Sequence, residues 1–345
     1  ILQREPGRGG RYRFHPALLR ETAYGSLMRD ARRTLHARAA AALREGQSRI
    51  VELRPEILAH HLSEAGAHSD AARAWLVAGR RSLDQSALEE AVAEFRSGLE
   101  QVRSLPETEG NLEEQIRLVA LLGPALFALR GPGSREVEEL YAEAMEICAK
   151  LPEAVGHFPV YWGWWRISRD FHVKRARASE LLQRAQRRKD DALLLQAHHC
   201  GWASAFSAAD MRQPLEHVET GLAIYEAGDF RSHAALYGNH DAKTCALCER
   251  ALVRWLCGAP SAAEADLRQA HRWATQMNHV GTRFHLADYT LALSFYRRDT
   301  RRVLTKATEM LERSGEMAFA EYGARGAVYR GWARALLGDR DDLAL

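Results

Sequence analysis

Trp75-Leu-Val-Ala-Gly79 and, after a break at Asp84–Ser86, Ala91-Val-Ala-Glu-Phe95-Arg-Ser-Gly98 form the stretch on which the fold turns. Residues four and three apart share one face of a helix. On that reading Ala91, Phe95 and Gly98 form a stripe of small and medium side chains on a second helix. Gly79, with no Cβ, lets this helix cross the first closely, and Phe95 fills the gap left there.

The same device recurs outward from this stretch. Val137, Tyr141 and Ala144 repeat the stripe, as do Ala263, Leu267 and Ala270, and then Val303, Ala307 and Met310. Breaks carrying helix punctuation separate the stripes at Gly131–Ser134, Asp170–His172, Ala209–Asp210, Gly258–Ser261, Arg298–Thr300 and Gly338–Asp339. Aligning Ala91, Val137, Ala176, Pro214, Ala263, Val303 and Leu343 gives spacings of 38 to 49 residues. A period near 40 with two helices per unit predicts an all-α fold, an α-solenoid of stacked helix pairs.

Composition agrees. Of 345 residues, 46% are apolar and 27% charged, the balance of a water-soluble globular chain. Only seven Ile are present and Ala is abundant, which argues against a large sheet. With 48 basic and 45 acidic side chains the net charge is +3, so no global field draws in nucleic acid. Five Cys in no framework spacing argue against a secreted disulfide scaffold. The longest run without Asp, Glu, Lys or Arg, from Ala192 to Ala209, holds Gln196, His198 and His199 and reads as a buried helix, with no membrane span. Cytoplasmic residence is expected. Tyr12 and Phe14 alternate with polar residues as one short strand would, and Pro16 suits the first turn of a helix. Ile1 falls inside a unit and the last residues inside a helix pattern, so a piece of a longer protein is expected.

Trp75, Gly79, Ala91, Phe95 and Gly98 together resemble the tetratricopeptide repeat. The later repeats exceed its usual length, and so resemble the longer repeats at the C-terminal ends of bacterial multidomain signalling ATPases. Tyr12-Arg-Phe14, Arg20-Glu21, Ala23-Tyr24, Ser26-Leu27 and Leu35-His36 resemble the winged-helix-like tail of the ATPase module in those proteins, with Pro16 where a His is usual and His15 one place earlier. Phe158 to Arg166, Ala197-His-His199, and Leu236 to Asp241 with Cys245 are similar to one subset, class III adenylate/guanylate cyclases fused to a predicted ATPase and a repeat tail. The resemblance implies residues 1–50 as the end of the winged-helix-like region and 51–345 as the repeat array, its last repeat truncated. It implies ATP and Mg in the parent, with neither cyclase domain nor phosphate-binding loop in this chain. A transcriptional activator of the same modular class is the alternative parent.

Residues with chemistry are few in pattern. Gly131-Pro-Gly-Ser134 lacks the Lys and the strand of a phosphate loop, and reads as a turn with Ser134 as N-cap. Cys245 and Cys248 fall inside a helical run, Ala242 to Leu256, and read as thiols packed between helices. His240 and Asp241 lie just before this run and Cys257 at its end, and a metal-dependent enzyme built on this His/Cys set is the alternative. His198 and His199 point about 100° apart on a helix and do not suit one metal. Tyr161, Trp162, Trp164 and Trp165 read as packing between repeats. Arg29, Arg32 and Arg33 lack interleaved aromatics, so nucleic acid is not expected there. No catalytic residue, metal or cofactor is assigned to this chain. In tetratricopeptide repeats the first helix of each pair lines a concave groove. Carried over, that stripe selects Gln196, His199 and Phe206, then Cys245, Cys248 and Trp255, then His285, Asp288 and Phe295. The expected occupant is a protein or a small-molecule inducer, with the chain's own upstream ATPase module as second partner.

Overall fold

The computed structural model describes residues 2–4, 12–14, 17–46, 48–131, 133–207 and 211–338. His15, Pro16, Pro132, Ala209–Asp210, Asp339 and the anchor at Leu343 lie outside them. The chain divides into two compact units, residues 1–78 with 97–106, and residues 79–96 with 107–345. No helix among the described residues is long and apolar enough to cross a membrane.

In the first unit β1 (Leu2–Arg4) pairs antiparallel with β2 (Tyr12–Phe14), Leu2 opposite Phe14. The single short strand expected at Tyr12–Phe14 therefore has a partner. Four helices follow: α1 (Ala17–Gly25), α2 (Arg29–Gly46), α3 (Ser48–Leu53) and α4 (Pro55–Ala65). Pro55 opens α4, where its missing N–H is no loss. Gly66 ends it with φ of 75°, a left-handed C-cap bonded to Leu62 and Ser63 carbonyls. The core joins Ala40, Leu58 and Leu62 to Ala71 of α5 (His68–Asp84). Trp75 donates its indole N–H to Ser63 Oγ at 2.9 Å. Arg32 and Arg33 are absorbed locally, Arg32 over the Tyr24 ring and Arg33 towards the Ala65 carbonyl.

The second unit begins within α5 and the first part of α6 (Leu88–Arg103). It continues as antiparallel pairs: α7 (Glu109–Arg130) with α8 (Arg135–Lys150), α9 (Phe158–Arg166) with α10 (Phe171–Arg188), and α11 (Asp191–Ser207) with α12 (Gln213–Ala227). Next come α13 (Ala242–Leu256) with α14 (Pro260–Met277), and α15 (Val280–Tyr296) with α16 (Thr300–Glu316), before the single α17 (Ala320–Leu336). Asp170, Asp241 and Asp299 cap their helices by accepting backbone N–H bonds. Ser134 occupies the N-cap of α8 without making a side-chain bond, so it is a turn residue and contributes no cap.

The stripes are buried as their spacing predicts in α6, α8, α14 and α16. In α10 the register is corrected. Ala176 is exposed, and the buried stripe runs Ala178, Leu181, Ala185. The fourth residue of α10, which in α6, α14 and α16 is a buried Ala or Val, is here Lys174. Close crossings are made at glycines. A Cβ on Gly79 would lie 2.4 Å from the Phe95 ring. The Tyr141 ring passes between Gly123 of α7 and Gly163 of α9, where added Cβ atoms would lie 2.3 and 2.1 Å from it. The last helix packs back on α7, with Gly131 beside the backbone of Ala320 and Glu321.

Candidate functional site

The second helices of the pairs pack with apolar stripes. The first helices, α9 to α17, instead carry ionisable groups to the inside of the second unit. At its centre Arg166 on α9 reaches Glu321 on α17, Nη2 to Oε1 2.9 Å. Arg325, one turn along α17, donates to Glu321 at 3.0 Å and to Asp288 on α15 at 2.5 Å. Both carboxylates are about 5% exposed or less. Burial opposes the charge of Glu321, but Arg166 and Arg325 outweigh it and hold the carboxyl below its ordinary range. At Asp288 burial prevails over Arg325 and the carboxyl is pushed up.

Beside this network opens a cleft of about 400 Å³ lined by Phe127, Arg166, Arg169, Lys174, Glu321 and Arg325. Lys174 lies over the Trp165 ring, 4.8 Å from its centroid. No carboxylate of the described residues comes within ion-pair distance of its ammonium. Burial and then the nearby Arg166 push it down to about 8. Of the four cationic side chains lining the cleft, Arg169 is paired with Glu138 of α8, Arg166 with Glu321, and Arg325 with Asp288 and Glu321, so Lys174 is the one left to meet an anionic group. Deeper in, Glu249 on α13 accepts from Tyr289 at 2.5 Å and is pushed up to about 7 by burial.

The sequence-selected groove residues divide into two sets. Gln196, His199, Cys245, Cys248, His285 and Asp288 are all buried, while Phe206, Trp255 and Phe295 are half-buried. His199, His285 and Cys245 come together in the interior around His240, while Asp288 pairs with Arg325. The His199 and His240 Nε2 atoms are 3.2 Å apart, and the His240 ring stacks on His285 at 3.8 Å with an angle of 6°. His199 also stacks on Trp202, whose indole N–H donates to Cys245 Sγ at 3.4 Å. His199, His240 and Cys245 offer three ligand atoms within 4.8 Å of one another. Cys248 turns away into the apolar packing of α13 on α14 and α15, where Phe206 and Trp255 join it. Phe295 packs on Tyr329 and Trp332 of α17. His198 points to His217, at 2.9 Å, away from the His199 cluster. Trp162 and Trp165 are core, and Trp164 and Tyr161 carry Arg177 and Arg184 on their faces.

Arg166, Lys174, His240, Glu249, Glu321 and Arg325 were not selected by the stripe. Lys174 had a signal: a Lys at a position where other repeats place Ala or Val. Arg166 and Glu321 had none, because their pairing crosses 155 residues.

No family model matches the chain. A protein of Rhizobium meliloti (strain 1021), named only as uncharacterized, is 30% identical over 336 residues, which cover 96% of this chain and 32% of that protein. The chain thus spans about a third of that relative's length. In structure it is similar to a Rap protein complexed with Competence and Sporulation Factor, with a TM-score of 0.52 and 12% identity over 93% of this chain and 98% of the other. A signal transduction ATPase with numerous domains carrying a tetratricopeptide repeat sensor, from Pyrococcus horikoshii, gives 0.44 at 12% identity over 89% of this chain and 45% of the other. BtubC from P. vanneervenii gives 0.44 at 17% identity over 73% and 93%. The fold of this chain is an all-α solenoid of tetratricopeptide-like helix pairs.

Proposed function

We propose that this chain is the sensor and interaction region of a signal-transduction ATPase, and that the Arg166–Lys174–Arg325 cleft receives an anionic group of its inducer. The observation that carries this is the unpaired Lys174 ammonium, over Trp165 and beside two arginines that share Glu321. A structural Lys would be solvated or paired, since burying a charge alone is unfavourable. Here the surroundings supply positive charge in excess. An entering carboxylate or phosphate pairs with Lys174 and competes with Glu321 for Arg166 and Arg325. It thereby loosens the link between α9 and α17 and biases the array between two arrangements. The fold likeness to the Rap protein, whose structure holds Competence and Sporulation Factor, supports a recognition role. From the resemblance of Phe158–Arg166 and of Leu236–Asp241 with Cys245, the parent is read as a nucleotide cyclase with an ATPase module.

The test uses the full-length parent and reads ATP turnover alongside melting temperature. Glu321→Gln, which weakens the α9–α17 link as the anion does, is expected to shift basal turnover. Lys174→Met is expected to melt no lower than wild type and to lose the response to cell extract of low molecular mass. Turnover and response unchanged in both variants would remove the cleft from the sensing role.

A further inference from the structure

The His199–His240 contact poses a proton-counting problem. His240 Nδ1 lies 2.8 Å from the Gly238 carbonyl oxygen, which can only accept, so the ring proton sits on Nδ1 and Nε2 carries a lone pair. His199 Nδ1 lies 3.2 Å from Gln196 Oε1, and the same amide gives its Nε2 to His233 Nδ1 at 3.2 Å. With that amide orientation His199 also holds its proton on Nδ1. Two Nε2 lone pairs then face one another at 3.2 Å inside a site where His199 is 2% exposed and His240 4%.

We infer that His199 Nε2, His240 Nε2 and Cys245 Sγ form a buried three-ligand site for a closed-shell soft metal ion, Cu⁺ or Zn²⁺. Ligand nitrogens about 2.0–2.1 Å from a zinc ion in tetrahedral array stand roughly 3.3 Å apart, close to the 3.2 Å observed. All three ligand atoms lie within 4.8 Å of one another, so a small movement of Cys245 Sγ completes the set. The surroundings are those of a metal site. Each imidazole gives its second nitrogen to a carbonyl oxygen, which fixes tautomer and ring plane. The Trp202 indole N–H at 3.4 Å is a donor suited to a thiolate sulfur. His285 stacks on His240, and its buried Nε2 has no hydrogen-bond partner among the described residues.

Charge distinguishes the two ions. Cu⁺ with one thiolate is neutral, whereas Zn²⁺ with one thiolate keeps a positive charge in a dry interior already under the field of Arg166. One soft thiolate with two imidazoles in a buried site also suits Cu⁺. The metal-free rival is a hydrogen-bonded chain. Reversing the Gln196 amide moves the His199 proton to Nε2, from which it is donated to His240.

The experiment titrates the purified 345-residue chain with Cu⁺ under anaerobic conditions against bicinchoninate, and separately with Zn²⁺ against a chromophoric chelator. One equivalent of Cu⁺ per chain is expected, with Zn²⁺ held more weakly. Affinity should fall at least tenfold in Cys245→Ser and in His240→Gln, and stay unchanged in Cys248→Ser, whose thiol faces the α14 packing. X-ray absorption on the loaded wild type, which needs no variant to fold, should show one sulfur and two imidazole nitrogens. Binding of neither ion in competition, binding that survives both ligand substitutions, or a loaded spectrum without sulfur would each overturn the assignment. A wild type that binds neither ion and shows an Nε2-bound proton shared by two histidines in its nitrogen NMR spectrum would establish the hydrogen-bonded chain instead.

Discussion

Gly163→Ala tests the packing that brings α7, α8 and α9 together. The added Cβ would sit 2.1 Å from Tyr141 Cε1 and Cζ. Ordinary carbon–carbon contact is about 3.5–4.0 Å, so the shortfall is roughly 1.5 Å. The ring cannot swing away, because Tyr141 is 2% exposed and its hydroxyl already abuts Gly123, where a Cβ would lie 2.3 Å off. Overpacking of this kind costs about 1–3 kcal/mol. Replacing Gly by Ala inside a helix returns about 0.5–1 kcal/mol. Because neither face of the ring offers relief, the upper end of the packing term applies and the net loss is about 2 kcal/mol. In a unit of this size that lowers the melting temperature by roughly 4–8 °C. Thermal unfolding followed by circular dichroism at 222 nm reads it directly. Gly331→Ala in α17 is the control, since its Cβ would meet nothing within 4 Å; it should melt at or slightly above wild type. If Gly163→Ala melts with the control, Tyr141 is not clamped and the account of this crossing fails.

Gly79→Leu should destabilise by about 1–3 kcal/mol through its collision with Phe95, and a neutral melt would mean that no close crossing exists there. The purified chain should hydrolyse no ATP and form no cyclic nucleotide, whatever its parent does; turnover that co-purifies with the chain to homogeneity would contradict this. For Glu249 the pH dependence has a fixed sign. Its carboxyl is raised by burial from 4.5 to about 7, so the folded state holds that proton more tightly, and the resulting stability is complete below about pH 4.5 and lost as pH rises through 7. Glu249→Gln should therefore gain on wild type in melting temperature between pH 5 and pH 8; a constant difference across that range would mean that Glu249 is already ionised.

The pattern of breaks and stripes made the helix pairs legible, because helix period and punctuation are local properties. The Cys245–Cys248 run was legible to the residue, opening and closing where α13 does. The stripe reading slips to Ala176 because the position that holds a buried Ala or Val in α6, α14 and α16 is in α10 a lysine, Lys174, which breaks the small-residue pattern. The groove stripe found His199, Cys245 and His285 but could not say that they meet in one place. Their meeting depends on His240, which lies just before α13 as the residue preceding its N-cap and has no helical phase to read. Nor can periodicity reveal a partner on a helix several turns of the array away, as with Arg166 and Glu321.

That pairing changes how the molecule should come apart. A stack of helix pairs held only by nearest neighbours can unravel from either end, one pair at a time. Here a clasp of Arg166, Glu321, Arg325 and Asp288 joins helices whose residues stand up to 155 positions apart. Closing a loop of that length costs about 4–5 kcal/mol in chain entropy, so the clasp forms late in folding, once the intervening pairs are in place. The same delay works in reverse as kinetic protection. With the clasp in place, α17 cannot part from α9 and α15 without breaking these ion pairs together with its packing on α16.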